Sequence, residues 1–177
     1  MKFRPDLRRP QVFGGAFLCA HVDILGARGD PGDPDVRLAA SRRLGEIQLL
    51  DARLVCGRDH LVTAADHAER AMRESTNVAK SLAVEFVLYA SGERQINEAI
   101  AKMGIRRDTT EFAVALFGGD HARALEALGL TRDDLVLSAT SAKLRSFGIL
   151  EAELTTVQPD RQSDLVLERV ALVDLLK

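Results

Sequence analysis

Tryptophan is absent from this sequence, tyrosine occurs once, and aromatic residues make up only 5% of the 177 residues. That scarcity argues against an aromatic platform on which single-stranded bases would stack. Cysteine occurs twice, at Cys19 and Cys56. Two thiols are too few for a disulfide framework and fit a reducing, intracellular setting. No apolar run approaches the ~20 residues that span a bilayer, and the polar N-terminus MKFRPDLRRP lacks the apolar stretch of a signal peptide. A cytoplasmic protein with no membrane partner is expected. Neither sign of charge prevails: the net charge is −2, so indiscriminate adhesion to phosphate backbones is not expected.

What is present suits a globular chain, with 46% apolar and 28% charged residues. Its length is enough for one ordinary domain with its own core. Charge is unevenly spread. Residues 53–107 carry nine Lys/Arg against seven Asp/Glu, whereas residues 108–177 carry seven against twelve. A local basic face on the middle of the chain and a well-mixed solvated surface are both compatible with this.

Val12 to Ala20 reads as a strand interrupted by Gly14-Gly15. Gly26 to Asp35 (GARGDPGDPD) reads as a loop, because Gly, Pro and Asp favour turns. Asp35 is suited to cap a short helix that Gly45 closes after Leu44. A second strand follows over Glu46 to Val55. Asp59 to Arg73 has helical spacing, with Leu61, Ala65, Ala68 and Met72 in one stripe. Ser75 or Thr76 would cap a second helix reaching Ala90, with Val78, Leu82, Phe86 and Tyr89 on one face. Ser91-Gly92 ends it. Glu93 to Met103 reads as a third helix with Ile96, Ala99, Ile100 and Met103 inward, ended by Gly104. Glu111 to Phe117 is a clear strand, and Asp120 caps a helix ending at Gly129. Leu135 to Leu137 reads as a short strand, Ser141 to Phe147 as a helix, Glu151 to Thr156 as a strand and Ser163 to Lys177 as a final helix. The expected fold is one α/β (α+β) domain, a mixed but mostly antiparallel sheet packed with helices.

The stretch CGRDHLVTAADH places Cys56, Asp59, His60 and His67 close in sequence. Seven residues separate the two histidines, so they lie ~10 Å apart along a helix, too far to share one zinc. Cys56 and His60 could approach, but no thiol-protease pattern surrounds them. A structural or surface role is the expectation. Gly118-Gly119-Asp120 follows a strand and opens a helix, where phosphate loops sit, yet no Lys-Ser/Thr follows and Asp120 would repel a phosphate. Arg28-Gly29-Asp30 is read as a polar turn. No cofactor or metal is implied.

Two features point to binding. Between Ser163 and Lys177 the apolar residues 165, 166, 167, 170, 171, 172, 173, 175 and 176 cover nearly the whole wheel. Such a helix is either central to the core or meets a partner protein on its outer face. Arg94 and Gln95 would lie in the first turn of their helix, where free N–H groups and the positive dipole end favour a phosphate. Plain solvated surface is the competing reading of that pair.

An ordered set then stands out: His60, Leu61 and Ala64; Asn77; Glu85 in an apolar run; Ala90-Ser91-Gly92; Gln95-Ile96 followed by Ala99-Ile100; and Gly104. This set resembles the small subunit of the KEOPS complex, the CGI family of archaea and fungi and the PRPK-binding protein of animals. The ending VLERVALVDLLK resembles that family's C-terminal helix. The likeness covers roughly residues 45–177 and is strongest over 56–105. It implies a non-catalytic member of the complex that makes threonylcarbamoyladenosine in tRNA. Its partners would be the kinase-like ATPase subunit, bound directly, tRNA, held by its 3′ CCA end, and indirectly the threonylcarbamoyl-transferase subunit. Carried onto this chain, Gln95, Ile96 and Met103 become candidates for the CCA pocket. Arg58, Lys80, Arg94 and Lys102 are added for phosphate contacts from their charge and position. Leu165, Val166, Arg169, Val170 and Val173 become a candidate kinase-facing surface, with helix 59–73 an equal alternative. The loop GARGDPGDPD is longer than the family pattern requires.

Overall fold

A computed structural model describes residues 22–118 and 120–176. The strand expected over Val12 to Ala20, with Cys19, lies outside the described residues. Four strands form one sheet in the order β2-β3-β1-β4: β1 (Asp23–Arg28), β2 (Ile47–Asp51), β3 (Glu111–Leu116) and β4 (Thr131–Arg132). Every pairing is antiparallel, with Asp23 opposite Leu116 and Ile47 opposite the same residue on the other side.

Side chains alternate across the strands. Ile24, Leu50, Ala113 and Ala115 point to one face, where α2 (Arg58–Glu74), α3 (Leu82–Ser91), α4 (Ile96–Met103) and the C-terminal helix α8 (Asp164–Leu176) pack. Leu25, Leu49, Phe112, Val114 and Leu116 point to the other, under α1 (Pro34–Leu44) and α5 (His121–Ala127). The remaining helices are α6 (Ser141–Phe147) and α7 (Glu151–Leu154). This is the expected α/β architecture, with helices on both sheet faces.

Several local expectations change. Gly26 does not open a loop; it lies inside β1 opposite Ala113, and the chain passes so close that a Cβ there would sit 2.4 Å from the Asp133 carbonyl oxygen. Asp33, not Asp35, caps α1, its carboxylate accepting from Asp35 N–H at 2.9 Å. β2 ends at Asp51, where a single 3₁₀ turn (Ala52–Leu54) begins. Ser75 starts no helix: it closes α2 in the left-handed region at φ 58°. α3 starts at Ser81, whose hydroxyl accepts from Val84 N–H at 3.4 Å. Between them the buried Glu85 carboxylate accepts from Val78 and Ala79 N–H at 3.0 and 2.7 Å, and Asn77 Nδ2 donates to Ala79 O at 2.8 Å. Val78, expected inward, is therefore left 50% exposed. Leu135 to Leu137 belong to a 3₁₀ turn, and Glu151 starts α7, a helix whose first turn is tied by Leu150 N–H donating to Glu153 Oε2 at 2.9 Å.

Candidate functional site

α2 and α3 run antiparallel, and His60 is the pin between them. Its Nε2–H donates to Ala90 O at 2.7 Å and its Nδ1 accepts from Cys56 N–H at 3.2 Å. Both ring nitrogens are thereby used. Burial pushes the ring down to about 4, with the Ala90 bond opposing and Lys102 adding to the shift, so it is neutral at pH 7. The same burial pushes the Cys56 thiol up to about 12. A nucleophile needs a thiolate with a free basic neighbour; this pair has neither. Among the described residues no group of three or more His, Cys, Asp or Glu could hold a metal. No described helix is long and apolar enough to cross a membrane.

α3 ends at Ser91, with Gly92 in the left-handed region at φ 71°. α4 begins only at Ile96, nearly a turn later than the sequence pattern suggested, so Arg94 precedes the helix and Gln95 is its N-cap. Gln95 makes no side-chain capping bond, which leaves the first-turn N–H groups of α4 without a side-chain acceptor. Arg94 and Gln95 are exposed and Ile96 is half-buried.

The other proposed RNA contacts are dispersed. Met103 is fully buried in the core and cannot touch RNA. Lys102 is engaged within the chain: its Nζ donates to Ser91 O at 2.7 Å and Glu93 Oε1 at 3.0 Å and lies 4.3 Å from the centre of the Phe147 ring. Arg58 is exposed but donates to Ile24 O at 2.7 Å. Lys80 is exposed at the opposite end of α3 from Arg94, about 15 Å away for a ten-residue helix. Ile100, expected inward, is 49% exposed.

The kinase-facing set needs a firmer correction. Leu165, Val166, Val170 and Val173 are the inner residues of α8, between 0 and 7% exposed, and pack with α2 and α3. Near the end of α8, Asp174 accepts hydrogen bonds from Tyr89 and Arg70 and from His67 Nδ1–H at 2.8 Å. Burial alone would raise the Asp174 carboxyl; the bonds from Tyr89 and His67 and the charges of His67 and Arg70 outweigh it and hold the group below its ordinary range. The outer side of α8 carries Glu168, Ala171, Leu172 and Leu175, the two leucines 40 and 79% exposed. An all-round apolar helix gives no stripe to tell inside from outside, which is why the sequence pointed to the wrong half. Arg169 belongs to neither side. It pairs with Glu153 and lines a cleft of about 210 Å³ with Lys102, Gly92 and Phe147. The Leu150 N–H and then Arg169 hold the Glu153 carboxyl low, against its partial desolvation.

The fold thus leaves exposed an uncapped helix start preceded by Arg94, and an apolar outer edge on α8. The family model of the kinase binding protein CGI-121 matches residues 35–172, and the chain belongs to that family. It is similar to the regulatory protein Cgi121 of Methanocaldococcus jannaschii, with 29% identity over 133 residues that cover 75% of this chain and 86% of that protein.

Proposed function

We propose that this chain is a non-catalytic subunit of the KEOPS complex that binds and supports the kinase-like ATPase subunit and recruits tRNA through its 3′ CCA end. The observation that carries the RNA part is the start of α4. An arginine exposed and without a partner among the described residues, an exposed amide and uncapped N–H groups meet there, beside the half-buried Ile96. Guanidinium and helix dipole favour a phosphate, while Gln95 and the backbone can pair with an unstacked base. Arg94, Gln95 and Ile96 form this contact, with Arg58 and Lys80 as outlying charges. The kinase-like subunit takes the outer face of α8, through Leu172 and Leu175.

The test is binding of tRNA with and without its CCA end, with the kinase-like subunit added in parallel. Intact tRNA should bind more tightly than the truncated form, and Arg94→Glu should abolish that difference without changing the melting temperature. Equal affinity for both forms, or for neither, would refute the CCA assignment. A second reading is a protein-only adaptor that activates the kinase-like subunit without touching RNA; the exposure of Leu172 and Leu175 favours it independently of α4. It predicts co-purification with the kinase-like subunit and no tRNA affinity.

A further inference from the structure

The arginines of this molecule are mostly occupied. Arg28, Arg53, Arg70, Arg107, Arg132, Arg145, Arg161 and Arg169 each meet a carboxylate within 3.4 Å, and Arg73 does so at 3.8 Å. Arg37, Arg58 and Arg106 donate to backbone carbonyls. Among the described residues, Arg42, Arg43, Arg94 and Arg123 alone make no side-chain hydrogen bond or ion pair. Arg94 belongs to the α4 start. The other three gather elsewhere, at the end of α1 and the start of α5.

Arg43 and Arg123 line a cleft of about 270 Å³ together with Gly118 and Asp120. Both residues are exposed. Arg43 sits in the last turn of α1, where a cation offsets the helix dipole, so it has a local reason to be there. Arg123 has none. It occupies the first turn of α5, the end at which the dipole disfavours a cation. Asp120 lines the same cleft and opposes an anion there, but its Oδ1 is turned to the N–H groups of Ala122 and Arg123 at 3.0 and 3.2 Å. Two guanidinium groups against one carboxylate leave the cleft net positive, which favours an anion. Their planar forks match phosphate oxygens better than a single ammonium would.

A separate groove lies between α4 and the end of α1, and Ile47 lines both it and the cleft. Ile100 and Gly104, in and just after the second half of α4, line the same groove as Arg42 and Gly45. α4 is eight residues long, or about 12 Å. Lys80 adjoins Ser81, which lines that groove too. Arg42 therefore shares a groove with the end of α4, and Arg94 precedes its start.

We propose that Arg43 and Arg123, with Arg42 beside them, form a second contact that holds backbone phosphates of the RNA whose free end binds at Arg94 and Gln95. This rests on the tRNA reading above and extends it from one pocket to a two-point grip. The end of α4 reads the unpaired terminus, and the α1/α5 cleft holds the backbone irrespective of sequence.

The full chain and its Arg43→Gln/Arg123→Gln variant are titrated with labelled tRNA across a series of salt concentrations. The variant should bind roughly tenfold more weakly near 0.1 M salt, and the slope of log K against log salt should shrink by about 1.8, roughly 0.9 for each phosphate that is no longer neutralised. The weakening should be the same for tRNA with and without CCA, whereas Arg94→Glu removes the dependence on CCA. Arg43→Lys/Arg123→Lys should restore most of the slope, which a purely structural role for the arginines would not predict. Melting temperatures within experimental error of the wild type show that the fold is intact; if the double variant melts early, each single Gln variant should still remove about 0.9 of slope. Unchanged affinity and slope would overturn the proposal, as would a defect seen only in binding of the kinase-like subunit. A wild-type chain indifferent to tRNA would overturn this second site and the CCA reading together; tRNA binding that falls in the Gln variant but is the same with and without CCA in the wild type would sink only the CCA reading.

Discussion

The two sides of α8 make opposite predictions for neighbouring substitutions. Val170 is fully buried between α8 and the α2/α3 pair, whereas Leu175 is 79% exposed. Val170→Ala deletes the equivalent of two buried methyl groups, each worth about 0.8 kcal/mol in transfer, and leaves a cavity that adds to the loss. The expected cost is about 2–3 kcal/mol, which lowers the melting temperature of a domain this size by roughly 4–12 °C. Leu175→Ala removes more atoms but almost none that were buried, so its effect should stay within about 0.5 kcal/mol. Urea denaturation of both variants, with unchanged slope, measures the contrast directly. Equal losses, or a larger loss at Leu175, would mean that α8 packs by its other side and that the inner set is free for a partner after all. The same geometry separates folding from association. Leu172→Glu with Leu175→Glu should leave a folded chain that no longer co-purifies with the kinase-like subunit, while Val170→Glu should fail at folding first.

Three further outcomes are expected. His60 is pushed down to about 4 in the fold, so the unfolded chain binds more protons between that value and about 6.5. Stability is complete above that range and should fall by up to about 3 kcal/mol as the pH drops through it. Urea midpoints against pH read this loss, and His60→Gln, with no ring to titrate, should lack it. Cys56, with its thiol pushed up to about 12 by burial, should resist alkylation at pH 7 in the native chain and react fully in urea, as peptide mass spectrometry would record; rapid native labelling would contradict its burial. Glu85→Ala strands the buried N–H of Ala79, at about 1–3 kcal/mol, and frees the part-buried N–H of Val78, and should speed amide exchange over residues 76–81 before anywhere else.

The residues that announced the family serve mainly to hold the helices together. His60 pins α2 to α3, Glu85 and Asn77 shape the turn before α3, and Gly92 ends it. Gly104 is needed because a Cβ would sit 2.5 Å from the Ile100 carbonyl oxygen. These features were legible because each depends on a short-range pattern: the α2 stripe, the Ser91-Gly92 break, the β3 run, the Asp120 cap. What was not legible depended on distant partners. Ser75 and Ser81 are the same residue type near a helix end, and only the reach of Glu85 decides which closes one helix and which opens the next. Ile100 fits the inward stripe of α4 by spacing, yet α4 turns that position toward a groove. Lys102 had the charge for a phosphate contact, but Glu93, Ser91 and Phe147 claim it. The unpaired state of Arg43 and Arg123 could not be read at all, since it is defined by what the rest of the fold leaves alone.

The pairing of β1 has a kinetic consequence. β1 joins β3 across 83 to 93 positions, from Arg28 with Glu111 to Asp23 with Leu116. The α2–α4 unit closes much shorter loops: 30 positions between His60 and Ala90, and 11 between Lys102 and Ser91. Short loops cost less entropy to close, so the helical unit should order first and the central strand should be threaded in last. Changes inside α2–α4 should then slow refolding, while changes in β1 should chiefly hasten unfolding. The turn bearing Arg94 and Gln95 would thus be shaped before the sheet that finally supports it is complete.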